Sequence, residues 1–307
     1  VRPRVDTARR PALPPGAILP RRRETMNYRH AFHAGNVGDV LKHAVLSLIL
    51  THLMAKPKPV LVLDTHAGAG AYDLDGGAAA RTGEWRGGIG RLRGAGAAVP
   101  AALRGYLTAV ADIAAAHGPT IYPGSPLLAA ARLRPGDRLV AVERHPETHA
   151  ALAALLGRRP GVTVRDGDGY AALAALLPPP ERRGLVLMDP PFEDRGEYAA
   201  LAAALGRAHR RFATGVYMLW YPVKDPGAVE AFRQQIADSG VRRVLAAELT
   251  VRPTTTIRGL AGSGLILVNP PYRLDETLRA LLPWLADTLA ETPGVGGWRL
   301  DWLRGEA

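Results

Sequence analysis

Two stretches of the chain set a polar side chain directly before two prolines and an aromatic ring. They are Asp189-Pro190-Pro191-Phe192 and Asn269-Pro270-Pro271-Tyr272. Each closes a short apolar run, 185–189 (LVLMD) and 265–269 (LILVN). Proline has no N–H and a fixed φ, so two of them end a buried strand and turn the chain. The Asp189 carboxylate and the Pro190 carbonyl then make a rigid pair of acceptors facing one space. An adenine amino group offers two donors to such a pair. Held by both, its nitrogen is oriented and its lone pair is less delocalised into the ring. That nitrogen can attack a sulfonium methyl in line, and Asp189 can accept the proton released. Phe192 supplies a face on which a base can stack. The chemistry needs no metal. A plain strand ending is the competing reading.

A methyl donor with an amino-acid tail and a nucleoside needs its own cradle. The run Asp64-Thr65-His66-Ala67-Gly68-Ala69-Gly70 follows the first strand, and its glycines, Gly68 among them, allow a tight turn close to a ligand. It is not a phosphate-binding G-x-x-x-x-G-K-[ST] loop. The next strand ends in Glu143, where a carboxylate can accept from both ribose hydroxyls. The third is followed by Asp166-Gly167-Asp168-Gly169, a turn opening a helix, where Asp168 can accept from the donor's adenine amino group. A solvated glutamate and an ordinary helix cap are the structural alternatives.

These residues must be positioned by strands. Runs 60–64, 139–143, 162–166, 185–189, 216–221, 244–251 and 265–269 are short and aliphatic, as buried strands are. Helical stretches lie at 39–54, 146–157, 170–177, 196–212, 226–239 and 275–290. Strand–helix alternation predicts an α/β fold with a parallel sheet covered on both faces and a ligand site beyond the strands' carboxyl ends. About 75 residues separate the first strand from the second, so a small helical insertion is expected at about 75–120, with a helix at 101–117. Strand order favours Asp189 over Asn269: the base site belongs beside the Gly loop, whereas Asn269 closes what reads as the last strand.

Composition sets bounds. The chain has 307 residues, 47% of them apolar, enough for one large domain. It has no cysteine, which excludes disulfides and thiolate metal sites. No apolar run is read as long enough for a membrane span. Net charge is +11, which favours a polyanionic partner. Residues 1–25 carry seven Arg against two acids, a net +5, with five Pro. They are expected to be a disordered basic extension ahead of the natural start at Met26, or else an RNA-binding arm, with 26–307 as the catalytic domain. The block after Met26 is dense in polar and aromatic groups, with Tyr28 and the basic residues beside it as candidate nucleic-acid contacts and a packed lid as the alternative.

With these residues in place, the chain resembles the bacterial 23S ribosomal RNA adenine-N6 methyltransferases of the RlmJ type. The resemblance runs from about residue 26 to residue 302. It is carried by 27–36 (NYRHAFHAGN), 39–43 (DVLKH), 63–70 (LDTHAGAG), 122–126 (YPGSP), 189–192 (DPPF), 211–217 (RFATGVY), 219–223 (LWYPV) and 265–271 (LILVNPP). It implies a Rossmann-like class I methyltransferase sheet with a helical subdomain inserted after the first strand. It also implies S-adenosylmethionine as methyl donor, bound by His43, His66, Ser125, Glu143, Asp168 and Gly169. Asp189 matches the family's catalytic acceptor and Tyr28 its RNA-contacting aromatic; Lys42, which lies with Asn36 in the same N-terminal block, is the second residue expected to contact RNA. Phe192 departs from the pattern, where tyrosine is common; stacking survives and a hydroxyl is lost.

The resemblance thus implies methylation of one adenine of 23S rRNA, protein-free or in an early assembly intermediate, by a cytoplasmic monomer without a membrane partner. Methylation of DNA adenine, methylation of a protein glutamine, or RNA binding without catalysis are the other readings the motifs allow.

Overall fold

The computed structural model describes residues 29–194, 196–253 and 260–305. Tyr28 and the extension at 1–25 lie outside them.

In chain order the elements are α1 (Val37–Met54), β1 (Leu61–Asp64), β2 (Ala71–Asp73), α2 (Gly77–Thr82), α3 (Ile89–Gly94), α4 (Ala101–His117), β3 (Ile121–Pro123), α5 (Ser125–Ala130), β4 (Arg138–Glu143), α6 (Pro146–Leu156), β5 (Val162–Asp166), α7 (Gly169–Leu176), β6 (Gly184–Met188), α8 (Glu197–Arg211), β7 (Val216–Val223), α9 (Pro226–Asp238), β8 (Val244–Thr250), β9 (Gly262–Val268), α10 (Leu274–Leu289) and β10 (Gly297–Arg304). Eight strands form one sheet in the order β10-β8-β9-β7-β6-β1-β4-β5. Strands β5, β4, β1, β6 and β7 are parallel to their neighbours in turn. The aliphatic side chains of β4, β1, β6 and β7 are buried on both faces, as a helix-covered parallel sheet requires, whereas the edge strand β5 is only partly buried through Val162 and Val164 and not the buried strand expected. One core lies under α1, α4, α5 and α10, the other under α7, α8 and α9. The fold is Rossmann-like.

The sheet differs from the parallel one expected. β9 is antiparallel to both β7 and β8, and β10 is antiparallel to β8. Only residues 251–261 join β8 to β9, too few for the crossover that a parallel neighbour needs, so the chain returns as an antiparallel neighbour. Nor is β9 the last strand, because β10 follows it. Its direction carries Asn269 to the edge where β7 begins, with Val268 opposite Tyr217.

The interval after β1 is an excursion between two strands. β2 and β3 pair as an antiparallel ribbon, with Tyr72 opposite Tyr122, and residues between them form α2, α3 and α4. α4 packs back on α1 through Leu103, Tyr106, Val110 and Ile113.

α1 corrects the reading of apolar runs. Its 18 residues have a mean hydropathy of 1.3, enough by length and composition alone to cross a membrane. Thirteen of them are buried inside the protein, and a helix apolar on most sides suits a core. Its N-cap is Asn36, whose side chain accepts from the Asp39 N–H at 3.1 Å. Its first turns carry Asp39, Lys42 and His43, all buried.

Candidate active site

Strand order reverses between β1 and β6, the switch point where open α/β sheets bind ligands. The loops after Asp64 and Met188 leave the sheet side by side there. Gly68 and Gly70 take φ of +64° and +81°, turning the first loop back on itself. The Gly68 N–H donates to Glu143 Oε2 at 2.9 Å, and the His145 N–H donates to Glu143 Oε1 at 2.7 Å. Glu143 is thus fixed at the end of β4, with a further lone pair on each oxygen. Asp168 caps α7 by accepting from the Ala171 N–H at 3.0 Å. A Cβ on Gly169 would lie 2.0 Å from the Thr65 carbonyl oxygen, so only glycine lets this turn close on β1.

Thr65, His66, Gly68, Glu143, Asp168, Gly169, Tyr170 and Asp189 line one cavity of about 580 Å³. His66 stands edge-on to Tyr170 with ring centroids 5.1 Å apart. Burial pushes the His66 imidazole down to about 4, so it is neutral near pH 7. Two of the expected cofactor residues, Ser125 and His43, sit one layer behind this wall. The Ser125 hydroxyl donates to Asp64 Oδ2 at 2.6 Å. Burial pushes the Asp64 carboxyl up to about 7 despite that bond. His43 is hydrogen-bonded to Tyr122 at 2.8 Å.

Asp189 ends β6 with its side chain partly covered. Lys42 Nζ lies 2.5 Å from Asp189 Oδ2 and 2.9 Å from Asp39 Oδ1. Burial alone would push the Lys42 ammonium down, but Asp189 and Asp39 beside it win and raise it. Lys42 is only 3% exposed. The sequence suggested it for RNA contact; the fold sets it inside, between two carboxylates, away from any phosphate on an open surface. Burial likewise pushes Asp39 up, and His30 and Lys42 together bring it well below the ordinary carboxylate range.

Past Asp189 the turn is strained. Phe192 takes φ of +50°, uncommon for a bulky side chain. The conformation is held by edge contacts of its ring with Tyr198 at 4.8 Å and Trp220 at 5.8 Å. Phe192, Trp220, Pro191, Asp189 and Lys42 line a second cavity of about 460 Å³. Trp220 went unnoticed in sequence. In the fold it is the one incompletely buried position of β7, which local sequence pattern does not display. Its indole N–H donates to Ser263 Oγ at 2.7 Å, which fixes the ring plane. Gly38 on α1 faces it, where a Cβ would come within 3.3 Å of the indole.

The two cavities share His30, Asp189 and Pro191. Asn269 lies on the opposite edge of the sheet. Its side-chain amide donates to the carbonyls of Ala213 and Gly215, each at 2.8 Å, and Tyr272 beside it is exposed. That amide staples the entry to β7.

A family model described as ribosomal RNA large subunit methyltransferase D, RlmJ, matches residues 57–304. The ribosomal RNA large subunit methyltransferase J of Escherichia coli K12 is 41% identical over 91% of this chain and 99% of its own length. The Haemophilus influenzae protein of the same name is 39% identical over 92% of this chain and 100% of its own. A crystal structure from Legionella pneumophila superposes with a TM-score of 0.81 at 33% identity, covering 88% of this chain and 98% of that one. The two cavities joined at Asp189 thus occur in a chain that belongs to the RlmJ family of large-subunit ribosomal RNA methyltransferases.

Proposed function

We propose that this protein transfers a methyl group from S-adenosylmethionine to the exocyclic N6 of an adenine in 23S ribosomal RNA. The observation that carries the proposal is the shared wall: one cavity fits the donor, the other a base, and Asp189 faces both.

The residues present suit the donor. Glu143 offers two oriented oxygens for vicinal ribose hydroxyls, and Asp168 Oδ2, with Arg144 3.7 Å away, is the oxygen left for an amino group once Oδ1 caps α7. Gly68 and Gly169 keep the wall free of side chains. When bound, S-adenosylmethionine supplies an electrophilic methyl carbon on a sulfonium sulfur.

On the other side, Phe192 and Trp220 offer aromatic surface to a base that has left its stack. Asp189 Oδ2 is taken by Lys42, so Oδ1 and the Pro190 carbonyl are the pair for the two amino hydrogens. As the N–C bond forms and the C–S bond breaks, one N–H proton must leave. Asp189 is placed to accept it, with the Lys42 ammonium beside its other oxygen. Tyr28 is assigned to RNA, whereas the side chains of Asn36 and Lys42 are engaged inside the protein. Substrate RNA is taken as protein-free or in an early assembly intermediate, the enzyme as a monomer acting where ribosomes are built, in the cytoplasm.

The test offers methyl-labelled S-adenosylmethionine with protein-free 23S rRNA, assembled large subunits, DNA and a release-factor protein. Label should enter the rRNA as N6-methyladenine. Label confined to DNA or protein would overturn the proposal. Asp189→Ala should abolish transfer while donor binding, measured by calorimetry, persists. Asn269→Ala should retain turnover.

A further inference from the structure

A chain of three buried polar groups runs from the inserted helix to the base of α1. Tyr106 on α4 and Tyr122 on β3 have their hydroxyl oxygens 2.8 Å apart. Tyr122 Oη is also 2.8 Å from His43 Nδ1. All three side chains are shut off from solvent, so each hydrogen must find a partner inside the protein.

That requirement fixes the direction of the chain. Among the described residues, Tyr106 Oη has no hydrogen-bond partner except Tyr122 Oη. If Tyr122 donated to Tyr106, the Tyr106 hydrogen would have no acceptor, at a cost that the opposite direction avoids. Tyr106 therefore donates to Tyr122, and Tyr122 donates to His43 Nδ1. The bare Nδ1 puts the imidazole hydrogen on Nε2. His43 Nε2 points back toward the Asp39 carboxylate, 3.7 Å from Oδ1, on the side of Lys42 and Asp189. Burial, which drives His43 down to about 3, agrees with a neutral ring.

We propose that Tyr106 and Tyr122 are positioning residues: they form a two-hydroxyl relay that locks His43 as the neutral Nε2–H tautomer, a fixed donor aimed at the active site. The inserted helix thereby takes part in the site through its hydroxyl, although it lines neither cavity. The acceptor served is anionic, either the Asp39 carboxylate or the carboxylate of the donor's amino-acid tail. The second choice rests on the proposed function; the tautomer does not.

Nitrogen-15 NMR of the ligand-free protein tests the relay, with the His43 signals assigned by their loss in His43→Gln. Expected are a pyrrole-type Nε2 and a pyridine-type Nδ1. A protonated Nδ1 in the native protein would overturn the proposal. Tyr122→Phe removes the donor to Nδ1, and the signals should move toward a mixture of tautomers. Tyr106→Phe leaves the Tyr122 hydrogen in place, so its effect should be smaller. Both phenylalanines keep the ring packing, and circular dichroism checks that they fold. Unchanged His43 signals in Tyr122→Phe would also overturn the relay. Calorimetry with S-adenosylhomocysteine then separates the two acceptors. A fall in affinity of about tenfold or more in Tyr122→Phe assigns the tail carboxylate, as expected for one lost hydrogen bond to a charged group. Unchanged affinity beside altered signals leaves the relay standing and assigns Asp39.

Discussion

At the scale of single residues, the site is a buried charge arrangement before it is a pocket. Lys42 lies between Asp39 and Asp189, and removing one partner of a buried pair leaves the others uncompensated. Lys42→Met should lower stability by about 3–5 kcal/mol, read from denaturant unfolding. It should also depress turnover more than donor affinity, since Glu143, Asp168 and His66 are untouched. Lys42→Arg keeps the charge but not the point geometry between two carboxylates, and should recover stability better than turnover. An equal loss of donor affinity and turnover in Lys42→Met would argue that Lys42 serves the donor cavity instead. The role of Lys42 was the hardest to read from sequence. The block at 28–33 upstream of it is basic and aromatic, which suggests RNA; its neighbours in space are acidic, and they come from residues 3 before and 147 after it.

At the scale of elements, the donor cavity depends on loops that touch without side chains between them. Gly169→Ala would drive a methyl group into the Thr65 carbonyl, 2.0 Å away, and push the start of α7 off β1. Asp168 caps that helix and would move with it. Donor affinity measured by calorimetry should fall more than tenfold, with helix content unchanged. Gly77→Ala is the matched control: its Cβ meets nothing within 4 Å, and α2 should gain up to about 1 kcal/mol. This level was largely legible in the sequence. Short aliphatic runs and Ala/Leu-rich stretches mark strands and helices by local pattern, and α4 falls at 101–117 as its periodicity indicates. What local pattern cannot state is direction. β8 and β9 read like their parallel neighbours, and only the shortness of the stretch between them, 251–261, points to a reversal. The ribbon strands β2 and β3, three residues each, and the six-residue α5 are too short to show a period. Trp220 was hidden for a related reason, since its importance lies in which cavity β7 faces.

At the scale of the whole molecule, burial of the Gly loop over Asp64 links stability to pH. The folded Asp64 carboxyl titrates at about 7, above the ordinary value near 4 of an unfolded aspartate. Between these values the native state binds the extra proton, so this group's contribution to stability falls as pH rises from about 4 to about 7, then levels off. Asp64→Asn removes the titration, and melting temperatures from pH 5 to 8 should vary less with pH than in the native protein. The same molecule also sets two ligands close together. His30, Asp189 and Pro191 belong to both cavities, so a wall one residue thick divides the proposed donor and base sites. A single compound could therefore occupy both: an adenosine whose N6 is tethered by a short linker to a nucleoside with an amino-acid tail. Binding of one half would hold the other at an effective concentration in the millimolar range, and its affinity should exceed that of either half alone by about 100-fold or more. Lengthening the tether beyond the thickness of that shared wall should erode the gain, which makes the linker a ruler for the path the methyl group travels.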